Sequence, residues 1–158
     1  MADDILIRMP HIHDKIDFTV EVFVVHNQKV LLRKHDKYGI WLSVGGHIEL
    51  GEDPNEAAVR EVKEEVGLDI EILDSRVFKG SDQKYKELVS PVSLNRHNVS
   101  PTHEHVCLVY FAKSSTDQVV PEKTSDVWKW CSEEDVDQLD GISPNVSYYA
   151  KRAIKEVR

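Results

Sequence analysis

Residues 46–68 read GHIELGEDPNEAAVREVKEEVGL, and the fold follows from them. The second half is a helix with both ends marked. Asp53 stands at the N-cap, Pro54 suits the first helical position, and Glu56 completes an Asp-x-x-Glu variant of the capping box. Gly67 follows Val66 and closes the helix, because glycine enters the left-handed conformation without a Cβ penalty. Between these marks, Ala58, Val59, Val62 and Val66 form an apolar stripe that would lie on a sheet.

The same helix carries Glu61, Glu64 and Glu65. At about 100° per residue, positions i, i+3 and i+4 share one face. Like charges at that spacing destabilise a helix by a few tenths of a kcal/mol per pair. Carboxylates near a helix C-terminus also oppose its dipole. A cation on that face would offset both costs. Carboxylate oxygens suit hard divalent cations such as magnesium, which keep some water and also hold substrate phosphates. A diphosphate repels a nucleophilic water, and a metal neutralises that charge. Spacing alone favours a second reading, a solvated face paired with neighbouring Arg and Lys, since charge runs are usually solvated faces.

Outward from the helix, residues 19–25 and 29–33 are β-branched and partly alternating. They read as two strands joined at His26-Asn27-Gln28. Trp41 to Val44 is a short apolar stretch that runs into Gly45-Gly46, where the backbone can turn or approach a ligand closely. Residues 69–79 read as a strand. Residues 80–103 show no sustained periodicity and contain Pro91 and Pro101, the pattern of a long functional loop. Residues 106–112 and 127–131 read as strands, Ser132 caps a short acidic helix, and residues 144–157 form a final helix. Strands around one central helix, with a helix at the end, suggest an α/β sandwich.

The chain has 158 residues, enough for one domain with a proper core, and residues 1–158 are read as a single domain. A composition of 41% hydrophobic and 30% charged residues argues against disorder. The net charge of −8 repels a long nucleic acid, so none is expected as a partner. No apolar run has the length of a membrane span, and residues 1–14 do not read as a signal peptide. Cys107 and Cys131 lack paired spacing and read as buried, reduced thiols of a cytoplasmic protein. A homodimer is among the assemblies left open.

Gly46 to Leu68 resembles a complete Nudix box, with every fixed position of that signature present. The resemblance implies a Nudix-type α/β/α sandwich with a mixed sheet and a central catalytic helix. It implies Glu61, Glu64 and Glu65 as the metal-binding face, with Mg2+ as cofactor and Mn2+ as a substitute. It further implies a backbone metal ligand at Gly45 or Gly46, and Glu52 with Arg60 as the orienting pair. The general base varies within the family, so Glu61, Glu64 or a residue outside the box remain open. Val44 departs from relatives that carry a proline before the glycine pair, a difference that bears on the stiffness of that turn. The implied reaction is hydrolysis of a diphosphate linkage in a nucleoside di- or triphosphate or a nucleoside diphosphate derivative. A dinucleoside polyphosphate hydrolase and a nucleotide-sensing module are the alternatives.

The remaining signals concern the substrate. His47 follows the glycine pair, where it either approaches a phosphate or stabilises the loop. Tyr38, Trp41, Phe78 and Tyr85 are candidates to stack on a base, with Trp41 better read as core. Tyr85 lies where a tyrosine marks the dinucleoside polyphosphate hydrolases of the family. The proline that marks ADP-ribose hydrolases is missing, and Gln83 and Lys84 occupy that region. His11-x-His13 and His103-x-His105 suggest zinc, but no matching third and fourth ligands are evident, so they read as surface or substrate-contacting histidines. Relatives of the MutT type carry a glutamate a few residues before a Trp-bearing strand. That resemblance implies Glu122, before Val127-Trp128, as the metal ligand outside the box, with Glu104, near the start of the strand at 106–112, as its rival.

Overall fold

The structure, a computed structural model, describes residues 15–36 and 38–158. His11 and His13 lie outside the described residues. The centre is an eight-stranded mixed sheet of β1 (Ile16–His26), β2 (Lys29–Lys34), β3 (Trp41–Leu42), β4 (Val44–His47), β5 (Ile70–Ile72), β6 (Ser93–Ser100), β7 (His103–Ser114) and β8 (Val127–Cys131). Its order is β3-β2-β1-β7-β5, with β4 paired to β1, β6 to β7 and β8 to β2. The central strand β1 (Ile16–His26) turns into β2 (Lys29–Lys34) through Asn27 and Gln28, whose φ values are 45° and 60°. Two successive left-handed residues match the right-handed twist of the strands they join. β1 runs parallel to β7 (His103–Ser114), in a register from Ile16 opposite Glu104 to Val25 opposite Lys113.

β3 (Trp41–Leu42) and β4 (Val44–His47) carry the chain toward the helix. The glycine pair does not turn. Gly45 and Gly46 lie within β4, opposite Glu21 and Val20 of β1. Helix α1 (Pro54–Val66) starts as expected: Asp53 accepts from the Asn55 and Glu56 N–H groups, and Glu56 accepts from the Asp53 N–H. Gly67 ends it at φ 70°, its N–H bonded to the Lys63 carbonyl. The buried stripe is Ala57, Ala58, Val62 and Val66. Val59 is exposed instead, because the sheet contact is centred one residue earlier in the first turns.

Two cores occupy the two faces of the sheet. Val20, Val22, Val24, Val44 and Tyr110 meet α1 on one face. Phe23, Val25, Val109 and Phe111 meet Val146, Ala150 and Ala153 of α3 (Pro144–Glu156) on the other. The result is the α/β/α sandwich with a mixed sheet. β5 (Ile70–Ile72), β8 (Val127–Cys131) and the short α2 (Glu133–Asp137), capped by Ser132, complete it.

Two segments correct the sequence reading. Residues 80–103 are not one long loop, since Ser93–Ser100 forms β6, antiparallel to β7. Most of β6 is exposed on both faces, so it lacks the hydrophobic alternation that marks a half-buried strand. The strand expected over 69–79 spans only Ile70–Ile72. Beyond it, Arg76 pairs with Asp74 and donates to the Glu87 carbonyl, which fixes an irregular turn. Among the described residues, no helix is long and apolar enough to cross a membrane.

Candidate active site

Helix α1 presents its carboxylates to β4. The Gly45 N–H donates to Glu65 Oε2 at 3.3 Å, and Arg33 Nη1 lies 3.5 Å from Glu65 Oε1. Burial pushes the Glu65 carboxyl up to about 7, against the attraction of Arg33. Burial likewise raises Glu61, against its bond to Arg60. The Glu61 carboxylate is seated directly over Gly46. A Cβ on that glycine would fall within 3.0 Å of both carboxylate oxygens.

Arg60 is the hub of this face. Its Nε and Nη2 grip Glu52 at 3.0 Å and 2.7 Å, in the paired geometry a guanidinium offers a carboxylate. Nη1 donates to Glu61 at 2.9 Å and to Glu64 at 3.0 Å, while Nη2 also reaches the His47 carbonyl at 2.8 Å. One cation thus ties the loop after β4 to three glutamates, and Glu52 is held below the usual carboxylate range by Arg60. Glu64 is the outlier of the three helix carboxylates, with a side chain 57% exposed against 13% for Glu61. The donor set fits a hard divalent cation: its side chains offer carboxylate oxygens alone, and desolvation that a cation would relieve raises two of the carboxyls.

The segment after β7 completes the surroundings. The Val120 and Glu122 N–H groups bond to the Val66 and Glu65 carbonyls, each at 2.9 Å, and so cap the open end of α1. Glu122 itself is exposed at that end. Glu104 is elsewhere: it pairs with Arg96 and lies opposite Ile16, five residues along β1 from the level of Gly45. Sequence reasoning missed Asp126, which lies 3.6 Å from the same Arg33 that approaches Glu65. Its signal was position: it immediately precedes β8, which pairs Trp128 with Arg33.

Behind β4, on the α3 side of the sheet, opens a cavity of about 660 Å³. Its walls include Glu21, Ser43, Gly45, Gly46, Asn95 and Tyr149. Ser43 Oγ donates to Glu21 Oε1 at 2.9 Å, and burial raises the Glu21 carboxyl. Tyr149 and Ser93 share a 2.6 Å hydroxyl contact. The glycine pair therefore borders both the carboxylate face and the cavity. Glu21 had a readable signal: Asp17, Thr19 and Glu21 interrupt with polar groups the face that continues as Phe23 and Val25. His47 and His105 line the far end of the cavity. Burial, and then the neighbouring His47, push the His105 imidazole down to about 4.

None of the aromatic residues expected to stack on a base lines this cavity. Trp41 is core, at 7% exposure. Tyr38 lies against His35 on the surface, and Phe78 lies beside Tyr85. Tyr85 donates to Glu87 in a turn built on Asp82, and the adjacent Lys86 pairs with Asp53 at 2.7 Å. Tyr85 is thus near the N-terminal end of α1 and apart from the cavity.

A family model described as NUDIX domain matches residues 16–151. RNA pyrophosphohydrolase of Blochmanniella pennsylvanica (strain BPEN) is 30% identical over 114 residues, covering 68% of this chain and 70% of that protein. An m7GpppN-mRNA hydrolase of Xenopus laevis is 33% identical over 90 residues, covering 53% of this chain. The match spans only 30% of that relative's length, and 20% of the length of a putative nudix hydrolase 1 of Caenorhabditis elegans. Among solved structures, a NUDIX-family hydrolase from Clostridium perfringens superposes with a TM-score of 0.79 at 34% identity. That superposition covers 90% of this chain and 98% of the other.

Proposed function

This chain belongs to the Nudix hydrolase family, and on that premise we propose that it uses Mg2+ to cleave a diphosphate linkage in a nucleoside di- or triphosphate, or in a nucleoside diphosphate derivative. The observation that carries the reading is the shared border at Gly45-Gly46, with the half-buried Glu61 and Glu65 on one side and a nucleoside-sized cavity on the other. Glu61, Glu64 and Glu65 would hold the cation, with a carbonyl of Gly45 or Gly46 and with Glu122 at the helix end. When bound, the cation neutralises the diphosphate and supplies Lewis acidity.

The chain's own groups do the rest. Arg60 fixes the rotamers of Glu52, Glu61 and Glu64 before substrate arrives, so the face is preorganised. Arg60 holds Glu64 only through Oε2, and the exposed side chain is open to solvent, which suits it to accept a proton from the attacking water. Glu21, Asn95 and Tyr149 offer polar groups to a base or sugar in the cavity. His47 lines the same wall. The two buried free thiols fit a reducing compartment such as the cytoplasm.

A second reading has one observation behind it: two relatives are named for RNA substrates. The charge of −8 opposes a long nucleic acid but not a 5′ end entering an open cavity. The test is a panel of nucleotides, dinucleoside polyphosphates, nucleoside diphosphate sugars and a short RNA with a 5′ triphosphate, each with and without Mg2+, products resolved by chromatography. The expected result is magnesium-dependent release of a nucleoside monophosphate from a small substrate, lost by about 100-fold or more in Glu65→Gln. Turnover of the RNA alone would replace the first reading with the second. No turnover of any member would remove both.

A further inference from the structure

We propose that Asp17, His103 and His105 form a second metal site, separate from the glutamate face of α1, which takes a transition-metal cation of the Zn2+ type. Strand pairing brings the three together. β1 and β7 are parallel with Asp17 opposite His105, so both side chains leave the same face of the sheet. His103, two residues earlier, shares that face. One ligand atom from each of the three lies within 4.8 Å of the others. The carboxylate is the anchor: Asp17 is 2% exposed on the central strand.

The distances agree with a shared ion. His103 Nε2 lies 3.2 Å from Asp17 Oδ2. Ligands bound to zinc at roughly 2.0–2.1 Å in a tetrahedron stand about 3.3 Å apart. His105 Nε2 is buried and has no hydrogen-bond partner, so a coordinate bond would satisfy an atom that otherwise bears its desolvation unrelieved. His47 Nε2 lies 3.3 Å from the same Asp17 Oδ2. There it holds the ligand oxygen in place, as outer partners of metal-bound carboxylates do. The rings of His47, His97 and His103 all stand edge-on to His105, at centroid distances of 5.0 to 5.5 Å.

Donor chemistry separates this site from the other one. Two imidazoles and one carboxylate suit Zn2+, and three protein ligands leave one position open. The glutamate face offers oxygen alone, the preference of Mg2+. Each cation therefore has its own place. The zinc site borders the cavity through His47 and His105, at the end away from Glu21.

The competing account is a purely hydrogen-bonded cluster of imidazoles around Asp17, and direct metal measurements distinguish the two. The full chain is stripped with a chelator, loaded with Co2+ or Zn2+ in excess Mg2+, desalted, and assayed for bound metal. The expected result is one retained equivalent of zinc and, with cobalt, the strong visible absorption of a four-coordinate ion. His103→Gln and His105→Gln should each weaken zinc at least tenfold, the lower end of what even outer-partner changes cost. Glu65→Gln should retain it in full. Circular dichroism confirms that each variant is folded. The cobalt spectrum of the parent stands independently should one of them fail. A parent that holds no zinc after desalting, or zinc retention unchanged in both histidine variants, would overturn the proposal. The proposed hydrolase activity does not enter this readout, so the two readings fail separately.

Discussion

Gly45 and Gly46 are neighbours in one strand, yet alanine at each should fail for a different reason. A Cβ on Gly45 would lie within 3.0 Å of the Val20 carbonyl, a backbone atom of the paired central strand. Neither strand moves without disturbing the α1 core on one side and the cavity on the other. Overpacking of that kind costs about 1–3 kcal/mol or more, which for a chain of this length lowers Tm by roughly 3–10 °C. A Cβ on Gly46 instead meets the Glu61 carboxylate, the far end of a flexible side chain. That side chain can swing away, so the fold survives, but Glu61 leaves its seat and its bond to Arg60. Loss of one placed charge from a transition state costs about 3–4 kcal/mol, or 100-fold to 1,000-fold in rate. Thermal unfolding and kcat/KM on the best panel substrate measure the two effects side by side. The expected pattern is Gly45→Ala with a lowered Tm, and Gly46→Ala with a near-parental Tm and activity lowered at least about 100-fold. Parental activity in Gly46→Ala, with the fold intact, would refute the claim that Glu61 works from the position over that glycine.

Three further outcomes follow from the same geometry. With the cation chelated, Glu65 keeps a proton up to about 7 that the unfolded chain releases near 4.5. The folded state binds more protons across that window, so stability should fall as pH rises through it, by at most about 3 kcal/mol. Glu65→Gln should flatten that fall, and a chelated parent equally stable across the window would show the burial to be compensated. Glu122→Gln should raise the Mg2+ needed for half-maximal rate, while Glu104→Gln, whose parent carboxylate is engaged by Arg96, should leave it unchanged; the reverse ranking would remove Glu122 from the site. Burial pushes Cys107 up to about 12 and Cys131 up to about 11, so at about pH 8 neither should react with an alkylating reagent until the chain is denatured. Fast modification of either thiol in the folded protein would contradict its burial.

What was legible in the sequence was whatever a local rule controls. The caps of α1 depend on residues two or three positions apart, and Asp53, Glu56 and Gly67 all take the roles their spacing implies. The glutamates share a face because helical geometry leaves no alternative. The hub formed by Arg60 was half legible: its partner Glu52 was expected, but its hold on Glu61, Glu64 and the His47 carbonyl needed the loop to be in place. Long-range register was not legible. β6 carries almost no buried face to set a period, so it read as loop. Asp126 reaches the glutamate face only because β8 pairs with β2 and brings it to Arg33. The histidine pair at 103 and 105 shows the same limit from the other direction. The pair was visible, and its third ligand, Asp17, was present in the chain but more than eighty residues away. Only a parallel pairing of β1 with β7, a contact that no local pattern encodes, places Asp17 opposite His105. A polar residue among the apolar positions of a central strand was the available clue, because a buried carboxylate at that depth requires a partner.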